Sequence, residues 1–109
     1  TILDTYISKI VRFLYSNFET KETNIIFVVR YSMDGQKDLR PHHDSSSYTV
    51  LFKLNSEFEG GGTHFLRQNY KSDNGNIGSC TMHPGRLTHH HSGIPITSGE
   101  RYLLVGFIY

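Results

Sequence analysis

Apolar residues recur at Ile2, Leu3, Tyr6, Ile7, Ile10, Val11, Leu14 and Phe18. That spacing predicts one amphipathic helix from Thr1 to about Phe18, ended by the polar cluster Glu19 to Asn24. The period then changes. Ile25-Ile26-Phe27-Val28-Val29 is apolar on both faces, which predicts a buried strand running on toward Arg30-Tyr31. Asp34-Gly35 marks a turn. Short strand patterns follow at Leu39 to Asp44, Tyr48 to Leu54, Thr63 to Leu66, Ile77 to His83, Leu87 to His91 and Arg101 to Tyr109. In the second of these, Tyr48, Val50, Phe52 and Leu54 alternate against Thr49, Leu51 and Lys53. Gly60-Gly61-Gly62, Asp73-Asn74-Gly75-Asn76, Pro84-Gly85 and a loop from Gly93 to Gly99 separate the patterns. Six or seven short strands between glycine-rich turns predict an antiparallel barrel or sandwich.

Length and composition narrow the picture. The 109 residues make one domain with room for a modest core. Aromatics make up 13% of the chain, which favours strands. A net charge of +1 with no basic stripe points away from nucleic acid and anionic membrane surfaces. No apolar run approaches membrane-spanning length, and the opening segment is amphipathic, unlike a signal peptide. The lone cysteine, Cys80, lies in a strand-like context, which predicts a small core residue rather than a reactive thiol. Thr1 heads straight into a helix pattern and Tyr109 falls inside a strand pattern, so residues 1–109 are expected to be one domain cut from a longer chain.

The chemistry is concentrated in seven histidines. On a strand, residues i and i+2 point the same way. His42 and Asp44 then share a face, with His43 pointing away; His89 and His91 share a face, with His90 opposite. A barrel interior would collect His42, Asp44 and one of His89 or His91. Two histidines and a carboxylate on one side of a metal form a facial triad, which suits divalent iron and leaves three positions open. A 2-oxo acid can fill two of them and O2 the third. Zinc accepts the same ligands, so ligand type alone does not choose the metal. The distal carboxylate of 2-oxoglutarate needs a buried cation, best a guanidinium. Arg101, ten residues after His91 at the head of the last strand pattern, meets that need. A hydrolytic zinc site has no use for it.

Four blocks together carry a resemblance. They are Arg40-Pro41-His42-His43-Asp44-Ser45, Phe58-Glu59-Gly60-Gly61-Gly62, Met82-His83-Pro84-Gly85-Arg86-Leu87-Thr88-His89 and Gly99-Glu100-Arg101-Tyr102. In order and spacing, the stretch from about Val28 to Phe107 resembles the catalytic domain of procollagen-lysine 2-oxoglutarate 5-dioxygenases. The resemblance implies a double-stranded β-helix (jelly-roll) with the N-terminal helix packed outside. It implies His42, Asp44 and His91 as iron ligands, the ten-residue step to Arg101 selecting His91 over His89 in this family. It implies Arg101 as the partner of the 2-oxoglutarate 5-carboxylate, with Tyr31 as a hydroxyl partner of the same group. Fe(II), 2-oxoglutarate, O2 and ascorbate are the implied cofactors and cosubstrates, and peptidyl lysine in collagen-like Gly-X-Lys sequence, hydroxylated at C5, is the implied substrate. Procollagen, a homodimer of the full-length protein and the endoplasmic reticulum lumen follow from the same resemblance. The family tends to have an aromatic where this chain has His90.

Competing readings remain open at this point. A prolyl hydroxylase shares the triad, a non-catalytic jelly-roll module could hold metal or sugar, and a zinc hydrolase could use the same ligands. A lysine ammonium calls for a carboxylate near the site, with Asp34, Asp38, Glu57 and Glu59 as candidates. His43 and His90 read as exposed strand residues, His64 as surface or half-buried, and His83 as ordering the Pro84-Gly85 turn. His89 reads as polar lining or as support for a ligand. Arg86 reads as a structural residue bonding carbonyls. The Gly60-Gly61-Gly62 run lacks the Lys-Ser/Thr and helix of a phosphate cradle and reads as a bend or bulge.

Overall fold

The computed structural model describes Tyr6, Ile7, Ile10 and residues 24–72 and 75–109. Nine strands lie among them: β1 (Ile25–Ser32), β2 (Leu39–His42), β3 (Tyr48–Lys53), β4 (Phe58–Gly60), β5 (Thr63–Phe65), β6 (Tyr70–Ser72), β7 (Cys80–Pro84), β8 (His91–Gly93) and β9 (Ile96–Ile108). All pairings are antiparallel. One sheet runs β1-β9-β3-β7, with β4 also paired to β9; the other runs β2-β8-β5-β6. Except at β3–β4 and β5–β6, successive strands cross between the two sheets, as in a double-stranded β-helix, or jelly-roll.

Alternation along the strands builds two apolar clusters. The inner one, between the sheets, holds Tyr31, Ile96, Leu103 and Val105, with Phe27, Val29, Leu51, Phe58 and Phe107 packed against it. The other holds Ile7, Val50 and Ile108, flanked by Tyr48, Phe52 and Met82. The two alternating sets of β3 thus serve different clusters, as the sequence pattern there predicts. Apart from Tyr6, Ile7 and Ile10, the helix expected from Thr1 to Phe18 lies outside the described residues, as do Asp73 and Asn74 of the expected turn.

Several local expectations change. The β1 segment is not buried on both faces: Phe27 and Val29 pack against the inner cluster, while Ile25, Ile26 and Val28 are exposed. Strands β4 and β6 were not foreseen; each is only three residues long. The stretch read as a loop from Gly93 to Gly99 is largely the first part of β9, which pairs there with β4. The strand expected over Leu87 to His91 begins only at His91. Leu87 has φ 63°, and the Thr88 N–H donates to the Arg86 carbonyl at 2.7 Å, a tight γ-turn incompatible with a strand. Cys80 is exposed at the head of β7 rather than a core residue.

Candidate metal centre

Register puts the two outer members of the site side by side. His42 is the direct cross-strand partner of His91 in the β2–β8 pair, and their ring centroids lie 4.3 Å apart. Asp44 follows β2, where the chain crosses toward the other sheet. Its N–H donates to the Gly85 carbonyl at 2.9 Å, which turns the side chain inward. His42 Nε2 then lies 3.1 Å and His91 Nε2 3.4 Å from the same oxygen, Asp44 Oδ1. His42, Asp44 and His91 form a group that could hold a metal ion, their donor atoms all within 4.8 Å of one another. His89 is not in that group. Its Nδ1 bonds the Thr88 hydroxyl at 2.8 Å and its ring meets Phe65 edge-on. With no strand at His89, its parity with His91 disappears.

The protons sharpen the chemistry. His42 Nδ1 lies 2.8 Å from the Arg40 carbonyl and His91 Nδ1 2.7 Å from the His89 carbonyl. A carbonyl only accepts, so both Nδ1 atoms carry the hydrogen and, in the neutral rings, both Nε2 atoms present lone pairs. Two lone pairs and a carboxylate oxygen therefore converge on one point, an arrangement that calls for a cation between them. Without a metal, a proton supplies part of it: the hydrogen bond to Asp44 holds the His42 imidazole above its ordinary value, against the lowering effect of burial. Burial pushes the Asp44 carboxyl upward, but hydrogen bonds from His42, His91 and Thr49 outweigh it and hold the group well below the carboxylate range.

Arg101 stands on β9 directly opposite Tyr31 on β1. It is 5% exposed, with its guanidinium 5.4 Å from the Tyr31 ring centroid and 5.9 Å from that of Phe58. Nη1 donates to the Gly62 carbonyl at 3.3 Å, and no acid among the described residues pairs with it. Burial lowers the guanidinium's affinity for its proton, and the neighbouring Tyr31 opposes that. Burial likewise raises Tyr31, which keeps its hydroxyl protonated and able to donate. A buried, unpaired cation is costly, so this one is built to meet an anion. Leu51, Thr63 and Leu103 line both the cavity at the triad and the one at Arg101, so the two are neighbours between the sheets.

Some residues take places that sequence reasoning did not assign. Thr49 donates from Oγ1 to Asp44 Oδ2 at 2.7 Å and bonds Ser46 Oγ at 2.6 Å. The signal was partly available, since Thr49 shares with the apolar Leu51 the face of β3 opposite Tyr48, Val50 and Phe52. His83 does order its turn, with Nδ1 bonded to the Pro84 carbonyl at 2.8 Å, but its Nε2 also lies 4.0 Å from Asp44 Oδ2. His43 is exposed and stacks on the half-buried His90, rings 4.7 Å apart; neither lies in the strand expected for it, and neither belongs to the triad. His64 is half-buried. Arg86 reaches the Ser47 hydroxyl at 3.4 Å rather than carbonyls. None of Asp34, Asp38, Glu57 and Glu59 lines the cavity at the triad, where Asp44 is the sole carboxylate among the lining residues described.

Comparison with known proteins decides the kinship. The procollagen lysyl hydroxylase and glycosyltransferase of Acanthamoeba polyphaga mimivirus is 43% identical over 110 residues, 98% of this chain. Human multifunctional procollagen lysine hydroxylase and glycosyltransferase LH3 is 43% identical over 111 residues, also 98% of the chain. Procollagen-lysine,2-oxoglutarate 5-dioxygenase 1 of Gallus gallus is 47% identical over 107 residues, 94% of the chain. The chain is homologous to a segment of the procollagen lysyl hydroxylases. It spans 12–15% of the length of these relatives. No family model matches the chain. Among solved structures, the 2OG complex of a viral collagen prolyl hydroxylase from Paramecium bursaria Chlorella virus 1 superposes with a TM-score of 0.63. That match is at 20% identity over 98% of this chain and 72% of the other. A Pseudomonas putida prolyl-4-hydroxylase gives a TM-score of 0.64 at 19% identity, over 97% of this chain and 62% of that one. At these identities the likeness establishes the jelly-roll fold.

Proposed function

We propose that this chain forms the iron- and 2-oxoglutarate-binding part of a hydroxylase that acts on peptidyl lysine at C5 in collagen-like sequence. One observation carries the reading: two imidazole lone pairs and one carboxylate oxygen converge near a buried guanidinium that no acid among the described residues pairs with. The donor set fits Fe(II), with His42 Nε2, His91 Nε2 and Asp44 Oδ1 as ligands. Arg101 meets the 5-carboxylate of 2-oxoglutarate, and Tyr31 adds a hydroxyl donor from the neighbouring strand. When bound, the iron supplies oxidation of an unactivated C–H bond by O2, coupled to conversion of 2-oxoglutarate to succinate and CO2. Ascorbate keeps the metal reduced. The protein's own part is to orient the three donors, anchor the cosubstrate and keep the space between the sheets apolar. A zinc hydrolase or a merely structural histidine cluster leaves the buried Arg101 without purpose.

The names of the relatives support lysine as the substrate. Proline is the second reading, because among the described residues no carboxylate other than Asp44 lines the cavity to meet an ammonium. Succinate release with Fe(II), 2-oxoglutarate and either a collagen-like Lys peptide or its Pro counterpart tests both. Lys-dependent succinate is expected, abolished in Asp44→Ala. In Arg101→Ala the 2-oxoglutarate requirement should rise about 10–100-fold, the equivalent of one charge-assisted hydrogen-bonding partner. Turnover with the Pro peptide alone would transfer the assignment to proline, and no turnover by iron-loaded protein would end it.

A further inference from the structure

Asp44 has two oxygens, and Oδ1 is the one that faces His42 and His91, while Oδ2 lies 4.0 Å from His83 Nε2. Oδ2 is turned the other way, onto Thr49 Oγ1 at 2.7 Å, which in turn lies 2.6 Å from Ser46 Oγ. Thr49 and Ser46 are 1% and 0% exposed, so no water competes for these bonds. Direction follows from valence. Oδ2 of a carboxylate only accepts, so the Thr49 hydroxyl spends its single proton there and must accept from Ser46. The relay therefore runs Ser46 to Thr49 to Asp44.

Its outer end is clamped by the chain after β7. A Cβ on Gly85 would lie 2.2 Å from Ser46 Oγ and 2.3 Å from Ser46 O, so only glycine permits the contact. Gly85 also donates its N–H to the Ser47 carbonyl at 3.0 Å and accepts from the Asp44 N–H at 2.9 Å. Pro84-Gly85 thus fixes both ends of the Asp44–Ser47 bend.

We propose that Thr49, backed by Ser46, is a positioning residue that confines Asp44 to coordination through one oxygen. This rests on the iron reading above. Two imidazoles and one carboxylate oxygen would leave three positions open on a bound iron, which a chelating 2-oxo acid and O2 would need. A carboxylate free to turn could bind through both oxygens and occupy the third. Thr49 prevents that by holding Oδ2 away from the metal.

The test compares wild type, Thr49→Val, Thr49→Ser and Ser46→Ala by anaerobic Fe(II) titration, the absorbance of the Fe(II)–2-oxoglutarate chelate, and the O2 dependence of succinate release. Thr49→Val should keep or tighten Fe(II) binding and still form the chelate, while turnover at ambient O2 falls about 10-fold, in the range typical of residues that orient metal ligands. Thr49→Ser should restore it, and Ser46→Ala should move the same way by less. Those two variants carry the test should Thr49→Val fail to fold. Loss of Fe(II) affinity in step with turnover would mean that Thr49 only supports the fold, and a Thr49→Val protein indistinguishable from wild type would equally overturn the idea. Wild type that takes up no Fe(II) would instead sink the metal reading, and this inference with it.

Discussion

His83 is the most deeply buried histidine near the site. It is 3% exposed, its Nδ1 is committed to the Pro84 carbonyl, and its Nε2 is buried with no hydrogen-bond partner. Burial, above all, pushes this imidazole down to about 4. The unfolded chain takes up a proton near pH 6.5 that the native state refuses until about 4, so stability must fall as pH drops through that window. The loss should be on the order of 3 kcal/mol once pH reaches the lower end. Urea denaturation of chelator-treated protein across pH 4–7 should show that slope in wild type and a much flatter one in His83→Phe; equal slopes would refute the attribution. His42 works in the opposite sense, since its raised value stabilises the metal-free protein at low pH and that contribution is lost as pH rises through it. The role of His83 in its turn was legible in the sequence. Its approach to Asp44 was not, because that depends on the β3–β7 register, which sets His83 opposite Thr49.

Between elements, the three consecutive glycines gain a purpose that their sequence only half discloses. All three have positive φ, at 75°, 77° and 102°, and they lead from β4 into β5 across a register shift against β9. The expected bulge is therefore there, but it also forms the pocket of Arg101. A Cβ on Gly61 would meet Arg101 Cδ at 3.1 Å, and Gly62 supplies the carbonyl that the guanidinium bonds. Gly61→Ala should destabilise the protein by about 1–3 kcal/mol through backbone strain and raise the 2-oxoglutarate requirement as well. Thermal melts read the first effect and succinate kinetics the second; a stability loss with an unchanged requirement would separate the glycine from the cosubstrate. The metal triad was readable as a set of residues, yet not by the route that parity suggested. Asp44 lies beyond the end of β2 and reaches the histidines because Gly85 bends the chain there, a long-range contact that no local period encodes.

At the scale of the whole molecule, the candidate ligands tie together parts that the strands alone leave separate. His42 and His91 belong to one sheet, and Asp44 lies on the crossing to the other, held there by Thr49 of β3. An ion at this point would add links between distant parts of the chain, and by mass action it should stabilise the native state. At 100 times its dissociation constant the gain is about 2.7 kcal/mol. Mn(II), a redox-quiet stand-in for Fe(II), should therefore raise the melting temperature of wild type by several degrees and leave Asp44→Ala unmoved; an equal rise in both would place the binding elsewhere. An antiparallel barrel or sandwich was legible because aromatic-rich strands and glycine-rich turns admit few alternatives; the jelly-roll came from the family resemblance. Strand order was not legible, since it depends on which edges meet.

That order has a consequence for how the chain is made. β9 is the hub of its sheet, pairing with β1, β3 and β4, and it comes last among the strands. As the polypeptide leaves the ribosome, β1 and one edge of β3, whose other edge pairs with β7, must wait until the segment from Ile96 to Ile108 has emerged. Arg101 arrives with that segment, so the proposed cosubstrate anchor and the pairing of β1 are completed together. Until then the nascent chain displays unpaired apolar strands, and it is in that interval, rather than in the finished fold, that it most needs protection from its neighbours.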